Sequence, residues 1–165
     1  MPTLSRKTLA FFAWLVGLFV VWIDQLSKAY VSGAFAVGET LPVIKGVLHL
    51  SLVHNTGVAF GLFRDHNTLL SILSLAVIIY IARDSLSRKK DRNLCRRVAL
   101  GLILGGASGN LIDRIRLGYI VDFLDFRVWP VFNIADSAIT IGIILLAIEI
   151  LFQSGRVTRN VSHTS

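Results

Sequence analysis

Cysteine occurs once in the 165 residues, as Cys95, which excludes an internal disulfide and a thiolate metal cluster. Charged side chains make up only 16% of the chain against 54% hydrophobic ones, with a mean hydropathy of +0.68. That balance excludes a soluble domain of this size. Glutamate occurs only as Glu39 and Glu149, and no H-E-x-x-H is present, so the zinc-protease signature is missing. The four histidines, His49, His54, His66 and His163, all lie outside the long apolar runs. No internal repeat or low-complexity tract is evident, and only 154–165 reads as a disordered tail.

What the chain does have is apolar length. Runs over about 8–23, 68–82, 98–112 and 134–152 can each cross hydrocarbon if slightly extended, although three fall short of the usual ~20 residues. The expectation is one small membrane domain over 1–165: an all-α polytopic protein of four transmembrane helices. The start could pass for a secretory signal ending at Ala34-Phe35-Ala36, but Asp24, Gln25 and Lys28 intervene, so a retained helix is expected.

The net charge of +7 is explained by where the cations lie. Arg6 and Lys7 precede the first run, Arg156 and Arg159 follow the last, and Arg83, Arg88, Lys89, Lys90, Arg92, Arg96 and Arg97 lie between the second and third. In an even-numbered bundle all of these fall on one side, which the positive-inside rule makes cytoplasmic, with both termini. The loop carries none of the interleaved aromatics that stack on bases, so nucleic acid is not expected as a partner. Cys95 is read as part of this loop.

Two segments, about 25–67 and 113–133, then face outward. In the first, Gly, Pro and alternating β-branched residues around Val37 to Val53 predict a small extracytoplasmic β-sheet at the membrane surface. His54-Asn55-Thr-Gly57 reads as a turn entering the second helix, with Asn55 a polar contact or a cap. Gly101, Gly105 and Gly109 recur every four residues of the third run and offer another helix a flat stripe. Asn110 and Arg114 share one face of that run and can offer donors to a substrate backbone, or else bond between helices. Asp24 and Lys28, also four apart, predict an ion pair.

The remaining acids suggest chemistry. An ionised carboxylate near the membrane is costly, so its default reading is functional. Asp122 and Asp136 flank the entry to the last run, and two carboxyls at one end of a bundle can share a proton as an aspartyl dyad. Each also has a simpler reading. Asn133 could cap the fourth helix with Asp136 in its first turn, and Asp122 and Asp125 could be solvated loop acids. Convergence favours the site: Asp24, Asn55, Asn110, Arg114, Asp122, Asn133 and Asp136 all map to one outer boundary under a single topology.

In their order, Asp24-Gln-Leu-Ser-Lys28, Asn55-Thr-Gly-Val-Ala-Phe60, Gly105-Gly-Ala-Ser-Gly-Asn-Leu-Ile-Asp-Arg114, Val121-Asp-Phe123 and Phe132-Asn-Ile-Ala-Asp-Ser-Ala-Ile139 closely resemble the lipoprotein signal peptidase (signal peptidase II) family. These are bacterial inner-membrane aspartyl proteases. The resemblance implies that Asp122 and Asp136 are the catalytic pair and that Asn55, Asn110, Arg114 and Asn133 position the substrate or the dyad. Asp24 and Lys28 would support the site. It further implies cleavage of diacylglyceryl-modified prolipoproteins before the lipidated cysteine, contact with membrane lipids, and inhibition by the cyclic peptide globomycin. A monomer is expected, with no metal and no organic cofactor.

Other chemistries are weaker. Gly106-Ala-Ser-Gly109 is similar to the rhomboid nucleophile motif, but Ser108 has no histidine in any membrane run to act as its base. A proton-coupled transporter is the alternative class, yet it usually shows repeats and mid-membrane acids, whereas these acids gather at one face.

Overall fold

The computed structural model describes the backbone of residues 6–57, 67–86 and 93–161, and the side chains of 11–57, 67–84 and 93–152. Its elements run α1 (Arg6–Ala34), β1 (Thr40–Ile44), β2 (Leu48–Asn55), α2 (Asn67–Leu86), α3 (Leu94–Leu117), β3 (Ile120–Asp125) and α4 (Ile134–Val161). Each helix contains a stretch long and apolar enough to cross a membrane: Phe11–Ala34, Asn67–Asp84, Leu94–Leu117 and Ile134–Phe152.

The helices overrun the apolar runs for a definite reason. Asp24, Gln25 and Lys28 interrupt the first run in sequence, but their side chains are paired inside the bundle, so α1 continues to Ala34. Likewise α3 begins at Leu94, so Cys95, Arg96 and Arg97 belong to its first turns and not to a loop. Asn93 caps it by accepting from the Cys95 N–H. α4 runs on to Val161, which corrects the expected tail, because its backbone meets no proline and each added residue gains a hydrogen bond.

α3 is the axis: most of its length is buried, and it packs against α1, α2 and α4. Lipid tails are as apolar as leucine, so close packing has to hold the helices together. The glycine stripe provides it. A Cβ at Gly101 would stand 2.6 Å from the Ala13 carbonyl oxygen, and one at Gly105 would stand 2.5 Å from that of Gly17. On the α4 side, Gly142 faces the Ala99 carbonyl in the same way. At the far end from the sheet, Asp84, Arg96 and Arg97 form ion pairs between α2 and α3, and Asn93 donates to Glu149 of α4 at 3.0 Å.

The sheet is antiparallel in the order β1-β2-β3. The sequence predicts strands only in the first outer segment; β3, in the second, carries Asp122 and Asp125, so neither is a solvated loop acid. Leu50 pairs with Leu124 and Val53 with Asp122, so one extra residue of β2 is accommodated in a bulge. Val31, Leu52, Val121 and Phe123 form the core between the sheet and α1. Because strand side chains alternate, Asp122 points to the opposite face from Val121, Phe123 and Asp125.

Gly105→Ala should force α1 and α3 apart and destabilise the fold by about 1–3 kcal/mol, read as a lowered melting midpoint in detergent. Gly33→Ala, where an added Cβ meets nothing within 4 Å, should leave the midpoint unchanged or raised.

Candidate active site

Lys28 lies at the centre of the buried polar cluster. It is only 3% exposed, beside Asp24 at 0% and Asp113 at 3%, so its charge survives there only with partners. Its ammonium has three donors and finds three acceptors: Asp24 Oδ2 at 2.9 Å, Asp113 Oδ2 at 2.9 Å and Asn110 Oδ1 at 3.0 Å. The expected Asp24–Lys28 pair is thus one of three contacts in a clamp that joins α1 to α3. Gln25 reinforces it, donating to Asp113 Oδ1 at 2.9 Å and to the Gly109 carbonyl at 3.2 Å. Asp24 Oδ1 also accepts the Ala135 N–H, which fixes the start of α4.

Asp113 and Gln25 were not among the residues singled out from sequence. A signal for Asp113 was available: it is the only acid of α3, and a buried carboxylate needs a cation within reach.

From this clamp the geometry propagates through asparagines. Asn110 spends its carbonyl oxygen on Lys28, which turns its amide toward Asp136 Oδ1 at 2.8 Å. Asn133 accepts the Asp136 N–H through Oδ1 while Asp136 Oδ2 accepts the Asn133 N–H, a reciprocal cap of α4. The Asn133 amide is thereby directed to Asp122 Oδ1 at 2.7 Å, with Asn110 Oδ1 at 3.1 Å and the Val121 carbonyl at 3.3 Å also in reach. Asn55 ends β2, accepts the Gly57 N–H, and donates to Asp122 Oδ2 at 2.8 Å. Capping and site-building are therefore the same contacts at Asn133, and Asn55 is a polar contact of the aspartate. The rest of its expected turn, 58–66, lies outside the described residues.

Asp122 and Asp136 line one cavity of about 250 Å³, together with Asn55, Asn110 and Arg114. Among the described residues Arg114 faces it with only a 3.4 Å contact from Nη1 to Ser74 Oγ, which leaves its guanidinium as a candidate donor to a guest. The Asn110 amide, expected as another, is already committed to Asp136. An apolar groove of about 360 Å³ between α2 and α4, lined by Leu70, Leu73, Val77 and Ile143, continues from Asn110, Arg114 and Asp136. A larger cavity of about 530 Å³ lies on the other face of β3 against Leu52, His54 and Val121, and contains neither aspartate.

Burial pushes the Asp122 carboxyl up to about 7, and the neighbouring Asp136 adds to the rise. The Asn55 and Asn133 amides and the Lys28 charge oppose it without cancelling it. Asp125 differs. Burial raises it, but the Arg127 N–H, the Ser51 hydroxyl, and the Arg127 and His49 side chains outweigh that and hold it below the usual carboxylate range. It is buried in the sheet, not solvated in a loop, and it sits on the face away from Asp122.

The sequence pattern of the family described as signal peptidase (SPase) II matches residues 16–152. Curated proteins named lipoprotein signal peptidase are similar: that of Moorella thermoacetica is 48% identical over 141 residues, 86% of this chain and 93% of its own. That of Halothermothrix orenii is 42% identical over 140 residues, 85% of this chain and 95% of its own. A solved bacterial membrane enzyme, determined by the in meso method at 2.3 Å, superposes with a TM-score of 0.83 at 33% identity, covering 88% of this chain and 90% of that one. With the family pattern over residues 16–152 and these relatives in agreement, the chain belongs to the signal peptidase II family.

Proposed function

We propose that Asp122 and Asp136 are the catalytic dyad with which this membrane protease removes signal peptides from lipoproteins. The observation that carries the reading is the shared cavity: a carboxyl raised to about 7 on β3 and a second carboxyl at the first turn of α4, both oriented by Asn133. A transporter gains no support from the comparisons, and the acids sit where helices end and a sheet begins.

One carboxylate removes a proton from the attacking water while the other, protonated, donates to the scissile carbonyl oxygen. The two carboxyls share one proton, which belongs to the pair rather than to either residue. Arg114 is the substrate-positioning donor, and Asn55, Asn110 and Asn133 hold the dyad. Asp24 and Lys28, with Asp113, support Asn110.

The scissile bond of a diacylglyceryl-modified prolipoprotein would lie across the dyad cavity, just before the lipidated cysteine. The adjoining groove between α2 and α4 suits apolar chains of the substrate and surrounding lipid. The same opening is the natural seat for a globomycin-type peptide. Nothing in this scheme requires a second copy of the chain. The cation distribution puts both termini in the cytoplasm and the dyad outside, so a reporter fused after Lys90 should read cytoplasmic.

Asp122→Asn and Asp136→Asn should each abolish cleavage of a lipidated prolipoprotein by the purified protein while insertion persists. Asp125→Asn should keep most turnover at saturating substrate; equal loss there would place the chemistry on the wrong carboxylate. The sign of the pH effect follows from the raised group. The shared proton is held below about pH 7 and lost above it, so kcat should fall as pH rises through that value.

The substrate before lipid addition should be cleaved poorly. Each buried methylene contributes about 0.8 kcal/mol to anchoring, and two chains hold the scissile bond at the depth of the aspartates. Equal turnover of lipidated and unlipidated substrate at matched concentration in detergent would point to a general intramembrane protease.

A further inference from the structure

β3 is an edge strand: β2 pairs with one side of it, and its other side meets α3 and the segment that leads into α4. An edge leaves backbone groups that need partners. Val121 shows where they go. Its N–H donates to Asp113 Oδ2 on α3 at 3.1 Å, and its carbonyl accepts from the Asn133 amide at 3.3 Å. Among the described residues, the first of these is the one hydrogen bond between β3 and α3. The peptide that Val121 shares with Asp122 is planar and stiff, so holding Val121 on both sides holds the Cα from which the Asp122 carboxyl projects.

The same Asp113 oxygen leads to the other half of the dyad. Oδ2 also accepts from Lys28 Nζ at 2.9 Å, Lys28 donates to Asn110 Oδ1, and the Asn110 amide donates to Asp136 Oδ1. Oδ1 accepts from Gln25 at 2.9 Å, which fixes the plane of the carboxylate. Asp113 is buried, so a donor that lost it would be left unsatisfied. One atom is therefore the common origin of two arms, one ending at each catalytic carboxyl.

We propose that Asp113 is a positioning residue for the cleavage reaction: by accepting the Val121 N–H and the Lys28 ammonium at one oxygen, it sets where the Asp122 carboxyl stands relative to that of Asp136. This rests on the dyad reading, because the spacing matters only if both carboxyls act on one bond. The role differs from neutralising Lys28, which needs the charge of Asp113 but not its place against Val121. A misplaced carboxyl loses the transition state more than the bound substrate, so the effect falls on the chemical step.

The test is single-turnover cleavage of a lipidated prolipoprotein with enzyme in saturating excess, where the rate constant does not scale with the fraction of enzyme that is folded. Wild type is compared with Asp113→Ala, with Asp113→Asn, and with a backbone ester at Val121, made by incorporating α-hydroxyvaline, which removes the N–H and keeps the side chain. The ester is also combined with Asp113→Ala. Asparagine keeps an oxygen for the Val121 N–H but not the charge. Asp113→Ala should slow the step about 100-fold, the cost of a misplacement on the order of 1 Å, with the half-saturating enzyme concentration within about twofold of wild type. Asp113→Asn should recover about tenfold of that loss, and the ester alone should slow the step about tenfold, as for one lost hydrogen bond. Adding the ester to Asp113→Ala should cost less than about twofold more, since the bond is already gone.

Equal loss in Asp113→Asn and Asp113→Ala would leave Asp113 only the task of neutralising Lys28. An ester at the wild-type rate, or one whose effect multiplies with Asp113→Ala, would remove the link to β3. Either result overturns the proposal and leaves the dyad in place. Should Asp113→Ala fail to fold in detergent, the ester alone decides, by slowing the step or not. Cleavage that survives Asp122→Asn would instead overturn the dyad reading, and this inference with it.

Discussion

The structure depends on a buried ammonium. Lys28 has three donors and meets two carboxylates and one amide oxygen, and the last of these contacts has the widest consequence. An asparagine side chain has an accepting end and a donating end. By taking the Asn110 oxygen, Lys28 leaves only the NH2 to face Asp136. The Gly57 and Asp136 N–H groups do the same at Asn55 and Asn133. Three asparagines therefore convert fixed donors behind them into fixed donors in front, all aimed at two aspartates. Such orientation, made before substrate arrives, is what electrostatic preorganisation requires.

The clamp needs α1 and α3 in near contact, and the glycines supply it. At Gly109 the space is occupied by the carboxylate itself: a Cβ there would stand 2.6 Å from Asp24 Oδ2. Packing and site are thus one constraint in this part of the bundle. A larger residue at 109 would displace Asp24, and with it both the Lys28 pair and the Asp24 bond to the Ala135 N–H at the start of α4.

Much of this was legible before any coordinates. The four helices follow from apolar run length, a close helix approach along α3 from the four-residue glycine spacing, and the Asn133 cap from its place before the fourth run; that α1 is the helix that approaches was not legible. The lengths of α1 and α3 were not legible, because charged residues interrupt hydropathy whether or not they find partners. Asp113 was missed for the same reason: its partner is 85 residues away in sequence and adjacent only in the fold. β3 escaped because its residues are buried on both faces, which hides the alternation that marks a surface strand.

β3 also shows how one short segment serves two ends. Asp122 and Asp125 are three apart, so the pleat sends them to opposite faces. On one face a carboxyl with another acid beside it keeps its proton to about pH 7; on the other, a carboxyl surrounded by donors is held ionised. The two identical side chains differ only in what the fold places around them. The ionised one fastens the Arg127 turn, and the other is met by two neutral amides, with no ion pair to it among the described residues. Moving the strand by one residue would send each aspartate to the other face of the sheet, so the register of β3 against β2, with its bulge between Leu50 and Val53, decides which carboxyl reaches the cavity beside Asp136.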